Sequence, residues 1–218
     1  MQTRSTGAIL WSAVQRPQLR RITLVYACFK TAELGTWIAI TTVAYLAGGV
    51  NTATLVLVVQ LAPATLAALY VDRAADRFGA ARVLEGGLAL QTVGLAGVAA
   101  ALAWHAPMVV AYGSAVVAAT AVVTTRPSLQ TLLPRVVDVP HELTAANSVV
   151  EWTTGAASLV GPALTALTFA TVGRWAPFAL FAVLTGIGML VATTLHERVG
   201  SDDLDGLDDE VVDELPEV

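Results

Sequence analysis

The chain has 218 residues, 56% of them hydrophobic and only 13% charged, with a mean hydropathy of +0.68. A soluble domain carries about 25% charged residues to cover its surface, so this composition excludes an ordinary water-soluble globule. The net charge of -5 comes from one end of the chain. Nine acids and no bases follow residue 200, and without them eight acids face twelve bases. No basic patch interleaves with aromatic residues, which argues against nucleic acid as a partner. Cys28 is the single cysteine, too few for a disulfide or a thiolate metal cluster, and reads as a small buried hydrophobe.

The N-terminus is basic, but the apolar stretch after Arg21 is longer than a secretory h-region and contains Lys30 and Glu33. A helix needs about 20 apolar residues to cross the hydrocarbon core. Six segments meet that requirement: 22–47, closed by Gly48-Gly49, then 52–71, 83–104, 107–133, 143–172 and 175–195. The fold class expected is an all-α membrane protein with six transmembrane helices. The chain divides into a basic cytoplasmic N-terminus (1–21), a six-helix transmembrane domain (22–195) and an acidic tail or linker (196–218). High charge density makes the tail read as disordered. Leu204, Leu207, Val211, Val212 and Leu215 could still form a weak amphipathic helix, whose charge would oppose binding to an anionic leaflet.

Loop charges give the orientation. Arg4, Arg16, Arg20, Arg21, Arg73, Arg77, Arg82, Arg135 and Arg198 fall on one side, against Arg174 alone on the other. Both termini are therefore expected in the cytoplasm, with Trp104 and Trp175 at the outer boundary.

Ionisable residues inside a bilayer cost several kcal/mol and by default mark function. Lys30 and Glu33 lie on one face of the first helix, with Glu33 near the midplane, spaced to neutralise one another. Glu33 is the candidate proton-coupling or substrate-contacting carboxylate, and a self-satisfied structural pair is the alternative. Arg126 and Glu151 are expected at similar depth on adjacent antiparallel helices, as a gating or structural charge pair. Glu85, near the interface, reads as part of the neighbouring charge cluster. Pro63, Pro127, Pro134 and Pro162 are expected to interrupt their helices, with Gly155, Ala156, Ser158 and Gly161 as a small-residue packing face. His105, His141 and His196 lie at helix ends outside any cluster, so no enzyme chemistry is expected, and no P-loop suggests ATP.

Three blocks then carry a resemblance. The loop Asp72-Arg73-Ala74-Ala75-Asp76-Arg77-Phe78-Gly79-Ala80-Ala81-Arg82 resembles the G-x-x-x-D-R-x-G-R-R signature of the major facilitator superfamily. Asp72 stands for its first glycine, Ala80-Ala81 replace two basic positions, and Arg82 supplies one nearby. Arg126-Pro127-Ser128-Leu129-Gln130-Thr131-Leu132-Leu133-Pro134, followed by Glu142-Leu143-Thr144-Ala145-Ala146-Asn147, is similar to a block of that superfamily's bacterial drug-exporter-like permeases. Gly161-Pro162-Ala163-Leu164 resembles its fifth-helix antiporter motif, with Thr165 and Ala166 where glycines are usual. The resemblance implies a bacterial inner-membrane protein, six helices arranged as two inverted three-helix repeats and forming the N-terminal half of a twelve-helix transporter. It further implies proton-coupled efflux of small hydrophobic compounds without a cofactor, with Asp76 and Arg77 in a cytoplasmic latch and Gly161-Pro162 as a helix break. The expected partners are membrane lipid, a small-molecule substrate and a second six-helix half, either separately encoded, missing or a second copy. The alternative is a non-transporting accessory subunit or a truncated, inactive product.

Overall fold

A computed structural model describes residues 17–132 and 140–213, with side chains described within 20–71, 73–127 and 147–194. Arg4, Arg16, Pro134 and Arg135 lie outside the described residues, as do the side chains of Asp72 and Arg198. Among the described residues the chain is helical almost throughout, with no strand.

The first continuous element, Pro17–Phe78, is 62 residues long. A straight helix of that length would reach about 90 Å, roughly three times the hydrocarbon core. Gly48 (φ -162°, ψ 24°) and Gly49 (φ 71°, ψ -161°) leave helical geometry in its middle. The Gly49 conformation is one that side chains other than hydrogen rarely allow. Glu33, on one side of this break, and Gln60, on the other, line the same cavity. The chain therefore folds back on itself, giving α1 (17–47) and α2 (50–78). After these come α3 (Ala80–Ala103), α4 (Met108–Leu132), α5 (Pro140–Thr171) and α6 (Ala176–Asp213).

Four stretches among the described residues are long and apolar enough to cross a membrane: Arg20–Val71, Ala80–Ala103, Met108–Pro127 and Ala176–Thr194. The first contains both arms of the α1–α2 hairpin. The described part of α5, rich in threonine and glycine and carrying Glu151, is not among them. Large apolar side chains such as Leu55, Leu61, Leu66 and Leu69 on α2 face outward, which suits hydrocarbon rather than water.

Small residues fix the packing register. A Cβ on Gly94 would stand 2.6 Å from the Ala118 nitrogen, and one on Gly97 would stand 2.7 Å from Ser114 Oγ. Gly87 lies against Thr125. Numbers rise on α3 as they fall on α4, so the two are antiparallel. The α1–α5 contact is parallel: the Tyr26 and Thr154 hydroxyls are 3.0 Å apart, and Thr165 donates to the Gly35 carbonyl at 2.9 Å. Gly188 against Cys28 and Phe181 against Gly35 make α6 antiparallel to α1. The Thr92 hydroxyl donates to that of Thr185 at 2.9 Å, tying α3 to α6. One core gathers Ile40, Val43, Leu95, Val98, Phe178 and Phe181, and a second gathers Val25, Phe29, Leu84, Leu88 and Ala192.

Four expectations need correction. Helices α4 and α5 share no contact among the described residues, although they are successive in the chain. Each finds its partners elsewhere, α4 on α3 and α5 on α1, because the glycine registers lie there. The prolines do not interrupt their elements: Pro63, Pro127 and Pro162 are all inside continuous helix, as neighbouring helices in a membrane permit. The Asp72–Phe78 segment is the last two turns of α2, not a loop, and the chain leaves it through Gly79 alone (φ 84°). Finally, helix α6 continues past residue 195 to Asp213, so most of the acidic segment read as disordered is helical. The spacing of Leu204, Leu207 and Val211 supports that extension.

Candidate substrate and coupling site

The site is built on α1. Lys30 Nζ donates to Glu33 Oε2 at 2.6 Å, with the two side chains 3% and 11% exposed. Residues three apart share a helix face, so the pair closes within one turn. A lone charge at the bilayer centre costs about 2.5–3.5 kcal/mol on insertion scales, and each group here removes part of the other's cost. Lys30 Nζ also lies 5.9 Å from the Phe29 ring centre, at the outer limit of a cation–π contact.

Beside the pair is a cavity of about 20 Å³. Helix α1 contributes Glu33, Thr36 and Trp37, α2 contributes Gln60, and α3 contributes Gln91. Apolar α4 residues, Ala115, Ala118 and Val122 among them, close it. Pockets for drug-sized ligands run to roughly 300–1,000 Å³, so this conformation admits nothing of that size here. Gln60, Gln91 and Thr36 were not singled out from sequence, although an amide inside an apolar span is a visible signal.

At the other end of the hairpin, Asp76, Arg77, Gly79 and Arg82 are all exposed. Arg77 lies 5.4 Å from the Phe78 ring centre and Arg73 5.9 Å from that of Tyr70. No ion pair joins Asp76 or Arg77 to another described residue.

The sequence of this helical bundle matches the Major Facilitator Superfamily over residues 22–208. The chain belongs to that superfamily. It is accordingly a multi-pass membrane protein of a transporter family, whose members are not enzymes. No individual curated protein matches it.

The remaining expected site residues of this superfamily member are dispersed. Arg126 and Glu151 are both exposed, and no ion pair joins them in this conformation. Glu151 lines a surface groove of about 580 Å³ with Trp152 and Leu159. Glu85 Oε1 is buried without a hydrogen-bond partner, so this carboxylate is not simply part of an exposed cluster. Gly161 is a contact point rather than a break. A Cβ there would lie 2.7 Å from the Thr31 carbonyl oxygen and 2.9 Å from the Gly35 nitrogen. Thr165, which departs from the superfamily's glycine pattern, is 2% exposed and supplies the hydrogen bond to Gly35 that locks this crossing.

Proposed function

We propose that the chain is the N-terminal half of a secondary active transporter that exports small hydrophobic compounds in exchange for protons, by alternating access. The observation that carries this is the buried Lys30–Glu33 pair beside a polar-lined cavity, inside a membrane-spanning helix of a transporter family. Glu33 carries the coupling proton, and Lys30 holds its charged form when the proton leaves. Asp76 and Arg77, in no ion pair with another described residue, form the cytoplasmic latch in an alternate state, and Arg126 with Glu151 acts as a gating pair once α4 and α5 approach. Membrane lipid surrounds the bundle. The second six-helix half comes from a continuation of the polypeptide, from another chain or from a second copy. The protein resides in a bacterial inner membrane with both termini cytoplasmic, as its arginine distribution favours.

The test is flux of small hydrophobic dyes in proteoliposomes containing both halves, under an imposed pH gradient. Flux should follow the gradient, and Glu33→Gln should abolish that dependence. Removing Glu33 alone leaves Lys30 charged and buried, so Lys30→Met/Glu33→Gln serves as the folding control. Absence of gradient-driven flux in the unaltered protein sinks the transport reading. Full pH dependence in Glu33→Gln sinks the coupling assignment.

A further inference from the structure

Five buried side-chain polar atoms among the described residues lack a hydrogen-bond partner within the protein, and three of these residues line the cavity beside Glu33. The atoms are Thr36 Oγ1, Gln60 Nε2 and Gln91 Oε1, from three different helices. Gln91 is 1% exposed, so neither solvent nor lipid headgroups can satisfy it. Thr36 also departs from its neighbours. Thr41, Thr42, Thr52 and Thr65 each give their hydroxyl to the carbonyl four residues back, at 2.7–3.1 Å, whereas Thr36 does not.

Buried polar groups are almost always paired with protein or with ordered water. The inventory matches water closely: a water molecule donates twice and accepts twice. Gln91 Oε1 and the Glu33 carboxylate accept, the Gln60 amide donates, and the Thr36 hydroxyl does either. Lys30 occupies Glu33 Oε2, which leaves Oε1 for a second donor. The cavity volume of about 20 Å³ exceeds the roughly 10–15 Å³ that one water needs and is far below any drug-sized ligand. A bare cation is disfavoured because the unpartnered Gln60 atom is a donor.

We propose that Thr36, Gln60 and Gln91 hold one water molecule against the Glu33 carboxylate, and that Glu33 exchanges its proton through this water. The second clause rests on the coupling role proposed for Glu33; the first does not. During uptake, a proton joins the water oxygen while one of the water's own protons passes to Oε1. The water is restored and the carboxylate becomes a neutral acid. The charged group facing Glu33 is Lys30 on its own helix, and the lining residues from α2, α3 and α4 are uncharged.

Infrared spectra of membranes containing the full protein, subtracted between ordinary and heavy-oxygen water at one fixed pH, test the first clause, and the same subtraction across a pH jump tests the second. A narrow O–H stretching band that moves in heavy-oxygen water is expected. It should disappear in Gln91→Leu and Gln60→Leu and persist in Thr185→Val, a remote buried threonine. Thr36→Val, nearly isosteric and tolerant of folding, should shift the band. A wild-type protein with no isotope-sensitive band overturns the water site, as does a band that all three cavity variants leave unchanged. If the band behaves as expected but Glu33→Gln retains pH-dependent flux, the water site stands and the coupling role fails.

Discussion

Gly161 shows how much one hydrogen atom decides. Its missing side chain lets α5 touch the α1 backbone at Thr31 and Gly35, which brings Thr165 within hydrogen-bond reach of Gly35. Gly161→Ala puts a methyl group against backbone that cannot move aside, and overpacking of this kind costs about 1–3 kcal/mol. Its thermal unfolding in detergent should fall accordingly. Thr165→Val removes the interhelical hydrogen bond together with the longer 3.1 Å contact to the Gly161 carbonyl and should cost less, about 0.6 kcal/mol by the average for interhelical bonds in membrane bundles. If the two variants lose equal stability, the glycine contact is not what sets the crossing. At this scale the sequence was partly legible. Lys30 and Glu33 stood out because charge is rare in an apolar span. Thr165 looked like a mere departure from a family pattern, since its acceptor lies 130 residues away.

Single elements were easy to find and hard to delimit. Hydropathy measures how much of a helix sits in hydrocarbon, and it is silent about helix that continues into water. The underestimated ends are all of that type: α2 continues through the charged Asp72–Phe78 segment and α6 continues to Asp213. What ends α2 is conformational. Gly79 adopts φ 84°, ψ 143° and has open space around a notional Cβ, so a substitution there meets backbone strain without steric contact. Residues other than glycine in that region cost on the order of 1–3 kcal/mol. Gly79→Ala should lower stability by that amount, whereas Gly86→Ala, also in open space but helical, should be neutral or slightly stabilising. Equal effects in calorimetry would mean the positive φ is not what matters.

For the whole molecule, neighbours in the chain are not always neighbours in space. That α4 and α5 share no contact among the described residues could not be read from loop lengths, because partner choice depends on where glycine registers match, on α3 for α4 and on α1 for α5. The cavity was hidden for the same reason: Gln60 and Gln91 acquire meaning only when α2 and α3 reach Glu33. The arrangement is open to cross-linking. Thr92 and Thr185 have hydroxyls 2.9 Å apart, so Thr92→Cys/Thr185→Cys, in a Cys28→Ala background, should form a disulfide between α3 and α6 on mild oxidation. A failure to cross-link would count against the antiparallel α3–α6 contact. The Lys30–Glu33 pair has one more consequence, and it concerns biogenesis. Helix α1 is made first, but Phe181, which packs on it at Gly35, emerges about 150 residues later, roughly 7–30 s at ~5–20 residues per second. During that wait α1 faces lipid without α5 or α6. Because its buried charges are partnered within a single turn, the helix carries its own counter-ion and need not wait for the bundle to neutralise it.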